Sequence, residues 1–151
     1  MKVIEGRLDA SDRKIGIVVS RWNELVTNAL LDGALDTLRT CGDPDVIVVR
    51  VPGSWEIPLA ARGLIERQGV HGVVALGCIL QGETPHARLL ASDVGSALMA
   101  LQNETGVPIS WGVLTPDSAD QALDRAGLKH GNKGREAAMS TIEMVSLLSH
   151  I

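Results

Sequence analysis

The sequence predicts a three-layer α/β/α sandwich built on a four-stranded parallel sheet. Four short apolar runs, at 15–19, 46–51, 72–78 and 108–114, read as strands. The first three are rich in Val and Ile and barely alternate, as in strands buried on both faces. Helical stretches alternate strictly with the runs, which is the pattern of a parallel sheet covered by helices on both sides. Each run also ends in residues a core has no use for. They are Ser20-Arg21-Trp22-Asn23, Val51-Pro52-Gly53-Ser54-Trp55-Glu56, Gly77-Cys78-Ile79-Leu80-Gln81-Gly82-Glu83-Thr84-Pro85-His86 and Gly112-Val113-Leu114-Thr115. Parallel strands deliver their carboxyl ends to one rim, and ligands of open α/β sheets bind in the crevice there.

Residues 1–4 are a candidate extra strand. The polar stretch 9–14 follows them, so a neighbouring subunit's sheet is the expected partner. The helix over 24–40 carries Leu25, Val26, Ala29, Leu30, Ala34, Leu35 and Leu38, an unusually wide stripe, and Cys41-Gly42 stops it. A second helix over 55–67 tolerates Pro58 only in its first turn. Thr84 reads as the N-cap of the next, with Pro85 at its first position. That helix presents Leu89, Leu90, Val94, Ala97, Leu98 and Leu101 on one side and ends at Gly106. A short helix over 118–126 follows. A last one over 133–149 turns Ala137, Ala138, Ile142, Val145 and Leu148 inward. No repeat, linker or low-complexity segment divides the chain, so 1–151 is one domain.

The net charge is −4 and the Lys and Arg residues are scattered. Without a basic stripe, nucleic acid and anionic membrane surfaces are not expected partners. The longest apolar run, 73–80, is too short to span a bilayer, and 1–7 holds no apolar signal core. Cys41 and Cys78 show neither metal nor redox spacing, so a cytoplasmic protein with reduced thiols and no metal is expected. Phe and Tyr are absent and only Trp22, Trp55 and Trp111 are aromatic, yet 45% of residues are hydrophobic. A domain of this composition is expected to bury aliphatic surface against other subunits.

The rim residues suggest chemistry. Gly82-Glu83-Thr84 opens a helix, where free N–H groups and the helix dipole favour an anion, although a well-capped turn has the same sequence. His86 lies in that first turn, where the dipole favours the neutral imidazole as a proton acceptor; an exposed helix-start histidine is the bland alternative. Trp22 sits between Arg21 and Asn23, a setting for stacking on a heteroaromatic ring rather than for the core position usual for a lone Trp. Asn23 offers a donor and an acceptor. Glu56 is an acceptor for hydroxyls or ring N–H groups, or simply a carboxylate favoured at a helix start. Arg125 and Lys133 flank the turn Gly127-Leu128-Lys129-His130-Gly131-Asn132, either as a phosphate clamp or as a solvated helix end.

Taken in order, these segments resemble the lumazine synthase family (6,7-dimethyl-8-ribityllumazine synthases). The resemblance covers nearly the whole chain. It includes the loop at 21–23, Val51-Pro52-Gly53-Ser54-Trp55-Glu56-Ile57-Pro58, Ala75-Leu76-Gly77-Cys78 and Gly82-Glu83-Thr84-Pro85-His86. It continues through Gly112-Val113-Leu114-Thr115 and Gln121-Ala122-Leu123-Asp124-Arg125-Ala126-Gly127 to Asn132-Lys133-Gly134-Arg135-Glu136-Ala137-Ala138. It implies a flavodoxin-like fold. It also implies condensation of 5-amino-6-(D-ribitylamino)uracil with 3,4-dihydroxy-2-butanone 4-phosphate through an imine, loss of phosphate and ring closure with loss of water. No metal or redox cofactor is needed.

By the same resemblance Trp22 stacks on the pyrimidine, and Asn23 and Glu56 bind the ribityl chain. The backbone around Ser54, Trp55, Cys78, Ile79 and Leu80 meets the uracil edge. Glu83, Thr84 and Arg125 hold the phosphate with Lys133 nearby, and His86 moves protons. The pocket is shared, with Trp22, Glu56 and His86 from one chain and Trp111, Arg125 and Lys133 from the next. Implied partners are the two substrates, a homo-oligomer and riboflavin synthase. The turn at 127–132 resembles that of shell-forming members, and 1–8 holds no proline. Both features favour a sixty-subunit shell of twelve pentamers over a free pentamer.

The chain departs from the family pattern at Ala87-Arg88-Leu89, where Phe-Asp-Tyr is usual, at Gln81, commonly basic, and in having Trp at 22, 55 and 111 where Phe is common. The liganding positions are kept. Two other readings fit the fold: a non-catalytic shell or flavin-binding homologue, favoured by Ala87-Arg88-Leu89, and an archaeal-type riboflavin synthase, disfavoured by the phosphate-type segment 82–86.

Overall fold

A computed structural model describes residues 1–82 and 84–151. Strands β1 (Lys14–Ser20), β2 (Asp45–Val51), β3 (Gly72–Cys78) and β4 (Ile109–Leu114) form one all-parallel sheet in the order β2-β1-β3-β4. Ile15 pairs with both Val46 and Gly72, and Val73 pairs with Ile109. The chain steps to one side of β1 for β2 and to the other for β3. That reversal opens a crevice at the carboxyl ends of the strands.

Alternation along the strands divides the core into two layers. Ile15, Ile17, Val19, Leu76 and Cys78 pack beneath α1 (Glu24–Thr40) and α5 (Lys133–Leu148), with α4 (Ala119–Arg125) beside them. Val18, Val73, Ala75 and Val113 pack beneath α2 (Ile57–Gln68) and α3 (His86–Thr105). Ile17 and Val74 are fully buried, and each such side chain contributes about 1.5–3 kcal/mol relative to exposure. Helices α1 and α5 approach so closely that a Cβ on Gly134 would collide with the Leu30 carbonyl. Only glycine permits that contact.

The expected strands and helices form, with boundaries displaced by a residue or two. Several finer expectations fail for physical reasons. β2 is not buried on both faces: it is an edge strand, and Val48 stays 39% exposed. Periodicity reports an apolar strand, not its place in the sheet. The helix expected over 55–67 opens as a single 3₁₀ turn, Ser54–Glu56, before α2 begins with Pro58 in its first turn. Thr84 does not cap α3; Pro85, already at helical φ −70 and ψ −1, takes the N-cap place and offers the first turn no side-chain hydrogen bond. Leu89 and Ala97 face outward, so the buried stripe of α3 narrows to Ala87, Val94, Leu98 and Leu101. Leu25 at the start of α1 is also exposed. Residues 1–4 form no strand within the single chain, and their pairing with a neighbouring subunit's sheet stays a proposal. Just beyond them, Gly6 and Arg7 lie against α5, where the Arg7 N–H donates to Ser146 Oγ at 3.0 Å.

Candidate active site

The crevice beside β1 and β3 is a cleft of ≈ 350 Å³. Trp22, Asn23, Ser54, Trp55, Cys78, Ile79, Leu80 and His86 all line it. Its position follows from the loops that leave β1, β2 and β3. Asn23 sits in the left-handed region, with φ 61 and ψ 54. A non-glycine residue persists there only when its surroundings hold it, and Asn tolerates the region best. The holding contact is visible: Asn23 Nδ2 donates to the Cys78 carbonyl at 2.8 Å, tying the loop after β1 to the end of β3. The amide oxygen of Asn23 makes no protein hydrogen bond among the described residues.

Trp22 and Trp55 are 72% and 64% exposed, so neither ring is core. Trp22 is held at its backbone, where its N–H donates to Ser20 Oγ at 3.2 Å. Ser54 is buried under the cleft, and a Cβ on Gly77 would stand 2.8 Å from its Oγ, so glycine there makes room for the serine. Burial pushes the Cys78 thiol up to about 11, and its side chain belongs to the layer under α1 and α5. The residue therefore presents main chain to the cleft, not a reactive sulfur. His86 is the first residue of α3 and is exposed at the mouth.

Glu56 does not line this cleft. Its Oε2 accepts from the Gly53 N–H at 2.9 Å, closing the turn after β2, and the residue borders a groove along α2. The bland reading of a carboxylate at a helix start thus describes one of its oxygens. Thr84 is exposed near the cleft mouth, and Glu83 lies outside the described residues.

A second cleft, of ≈ 480 Å³, lies at the open edge of β4 between α4 and α5. Trp111, Arg125 and Lys133 line it. Arg125 is the last residue of α4 and Lys133 the first of α5. Arg125 makes no ion pair among the described residues, and Lys133 Nζ pairs with Glu136 Oε2 at 2.6 Å. A cation at a helix N-terminus opposes the dipole, so Lys133 is not placed there for helix stability. The Trp111 ring reaches over Gly95 of α3, 3.7 Å from where a Cβ would stand.

Within one chain most of the candidate residues thus fall into two groups, with Glu56 apart on the groove along α2. The ring, amide and imidazole of Trp22, Asn23 and His86 share the first cleft; Arg125 and Lys133 share the second. Sequence reasoning missed Asn132, whose side chain caps α5 between the two cations. The signal was available: an Asn directly before a helical run is an N-cap pattern. Among the described residues no cluster of His, Cys, Asp and Glu could hold a metal ion. No helix among them is long and apolar enough to cross a membrane.

Comparison with known proteins places the chain. Residues 12–149 match the family described as 6,7-dimethyl-8-ribityllumazine synthase. The chain is 44% identical to the 6,7-dimethyl-8-ribityllumazine synthase of Aquifex aeolicus (strain VF5), over 100% of this chain and 99% of that protein. It is 48% identical to the enzyme of the same name from Syntrophus aciditrophicus (strain SB), over 99% and 98% respectively. Similarity at this level across the full length, on a four-stranded parallel α/β scaffold, makes the chain a member of the 6,7-dimethyl-8-ribityllumazine synthase family.

Proposed function

We propose that the protein condenses 5-amino-6-(D-ribitylamino)uracil with 3,4-dihydroxy-2-butanone 4-phosphate to 6,7-dimethyl-8-ribityllumazine, a transferase step of riboflavin biosynthesis. The observation that carries this reading is full-length similarity to two enzymes of that name. The first cleft fits the pyrimidine. The Trp22 ring provides a stacking face, worth about 0.5–1.5 kcal/mol beyond area burial. The free amide oxygen of Asn23 and one free oxygen of Glu56 accept from ribityl hydroxyls. Main chain around Ser54, Trp55, Ile79 and Leu80 meets the uracil edge.

The phosphorylated ketone lies towards the open first turn of α3, with Thr84, Glu83 and Arg125 on its phosphate and Lys133 adding charge. His86, at the mouth between the two substrates, takes the proton released as the amine attacks the ketone and returns it as water or phosphate departs. Orientation of two reactants supplies much of the rate.

The division of these residues between two clefts supports a site built at the contact of two chains. The first cleft comes from one subunit and the second from its neighbour, in a closed pentamer. The sixty-subunit shell, a contact with riboflavin synthase and a cytoplasmic setting belong to the same proposal. The test is direct: incubate the protein with both substrates and follow lumazine formation by absorbance and phosphate release. Phosphate and lumazine in equal amounts are expected. An assembled particle that binds lumazine without forming it would instead be a flavin-binding shell, and dismutation of lumazine to riboflavin would mark a riboflavin synthase.

A further inference from the structure

We propose that Asn132 is a positioning residue that sets the spacing of Arg125 and Lys133, and so the affinity for the phosphorylated substrate. This inference rests on the reading of the second cleft as the phosphate side of the site. All four hydrogen-bonding capacities of the Asn132 amide are used. Its Oδ1 accepts from the Gly134 N–H at 2.8 Å and the Arg135 N–H at 3.1 Å, capping α5. Its Nδ2 donates to the Ala29 carbonyl of α1 at 2.9 Å and to the Ala126 carbonyl at 3.0 Å. Two N–H donors on one end and two carbonyls on the other fix the amide orientation without ambiguity.

The amide therefore joins three pieces of chain: the start of α5, the middle of α1 and the exit of α4. Ala126 and Asn132 also form an isolated antiparallel bridge that closes the turn between them. Gly127 and Gly131, at φ 115 and φ 75, let the chain reverse there. Arg125 directly precedes one side of the bridge and Lys133 directly follows the other. Their backbones are held across from each other by a residue that does not line the cleft. The amide is seated in a notch on α1, where a Cβ on Gly33 would stand 2.5 Å from its Cγ and Oδ1.

Asn132→Ser separates the two roles, because a serine still caps the helix but cannot reach both carbonyls. Gly33→Ala disturbs the same amide from α1, outside the cleft. Both variants, with Arg125→Ala beside them, are assayed as the assembled enzyme. The readouts are the KM of each substrate, competitive inhibition by inorganic phosphate, and particle size. We expect the KM for the phosphorylated ketone and the phosphate inhibition constant to rise about 5- to 20-fold in Asn132→Ser and in Gly33→Ala, the range of one or two lost ordering hydrogen bonds. The KM for the aminouracil stays within about twofold, whereas a loss of general stability would move both constants or the particle size. An unchanged phosphate constant in Asn132→Ser, with Arg125→Ala impaired, overturns the inference alone. An unchanged phosphate constant in Arg125→Ala overturns the reading of the cleft and the inference with it.

Discussion

His86 and Arg125 lie in different clefts of one chain, and this separation yields a quantitative complementation experiment. His86→Ala alone is expected to lower kcat by about 10–10³-fold, since a positioned acid–base group supplies roughly 10²–10⁴ and the orientation of the substrates persists. Arg125→Ala removes a charge-assisted contact worth about 1.5–3 kcal/mol, or roughly 10- to 150-fold in KM for the phosphorylated ketone. Each homo-oligomer is then nearly inactive under limiting ketone. In a ring where every contact joins the first cleft of one chain to the second cleft of the next, each site needs an intact His86 from one side and an intact Arg125 from the other. After dissociation, mixing in equal amounts and reassembly, the chance of each is about one half, so about a quarter of sites are wild type. Activity should climb to about that fraction of the wild-type rate, and skewing the mixing ratio either way should lower it. Mass-tagged subunits establish that the rings are mixed. Mixed rings whose activity merely equals the average of the two parents would refute the shared site, because a site within one chain can never be repaired by its neighbour.

Three further outcomes are expected. Trp22→Ala should raise the KM for the aminouracil while leaving inorganic phosphate inhibition within about twofold; equal changes in both would take the ring out of the pyrimidine site. Gly134→Ala should destabilise the protein by roughly 3 kcal/mol, seen as a lower Tm or urea midpoint, because the added methyl meets the Leu30 carbonyl. The Cys78 thiol, raised to about 11 from 9.0, keeps its proton in the folded state where the unfolded chain releases it. Its contribution is complete below about pH 9 and is lost as pH rises towards 11, so Tm should fall over that window and Cys78→Ala should flatten the fall.

The parts of this protein that were legible in its sequence are those governed by one local cause. Ile15–Val19 in β1 and the 72–78 run are apolar, short and bounded by turn residues, so they read as strands, and both prove to be central ones. Trp22 and His86 stood out because polar and aromatic groups at the carboxyl ends of such strands have no structural use. Both residues are exposed, so neither serves the core. Less was legible where two local signals compete or where docking decides. Thr84-Pro85-His86 allows either the threonine or the proline as the cap, and the proline's own dihedrals take the place. Val46 to Val51 looks like a buried strand and is an edge, because only the order of the strands decides which edges are covered. Gly33 and Gly134 are unremarkable in the sequence until α1 and α5 are docked, when Gly33 meets the Asn132 amide and Gly134 meets the Leu30 backbone. Asn132 was readable as a cap, but its two bonds to α1 and α4 span 103 and 6 residues, and no local pattern carries the longer one.

The distribution of aromatic residues has a spectroscopic consequence. With no Tyr or Phe, the near-ultraviolet absorption and emission of this protein come from Trp22, Trp55 and Trp111, exposed by 72%, 64% and 44% in the single chain. Not one of these indoles is in the hydrophobic interior, so the emission colour of a lone subunit is already that of solvated tryptophan and changes little when the chain unfolds. What can shift it towards the blue is the covering of those rings by a ligand or by another subunit. Fluorescence therefore follows the surface of this protein while far-ultraviolet circular dichroism follows its backbone. In the proposed assembly, a separation between the two melting curves, recorded on one sample, would give the temperature interval over which subunits part before they unfold.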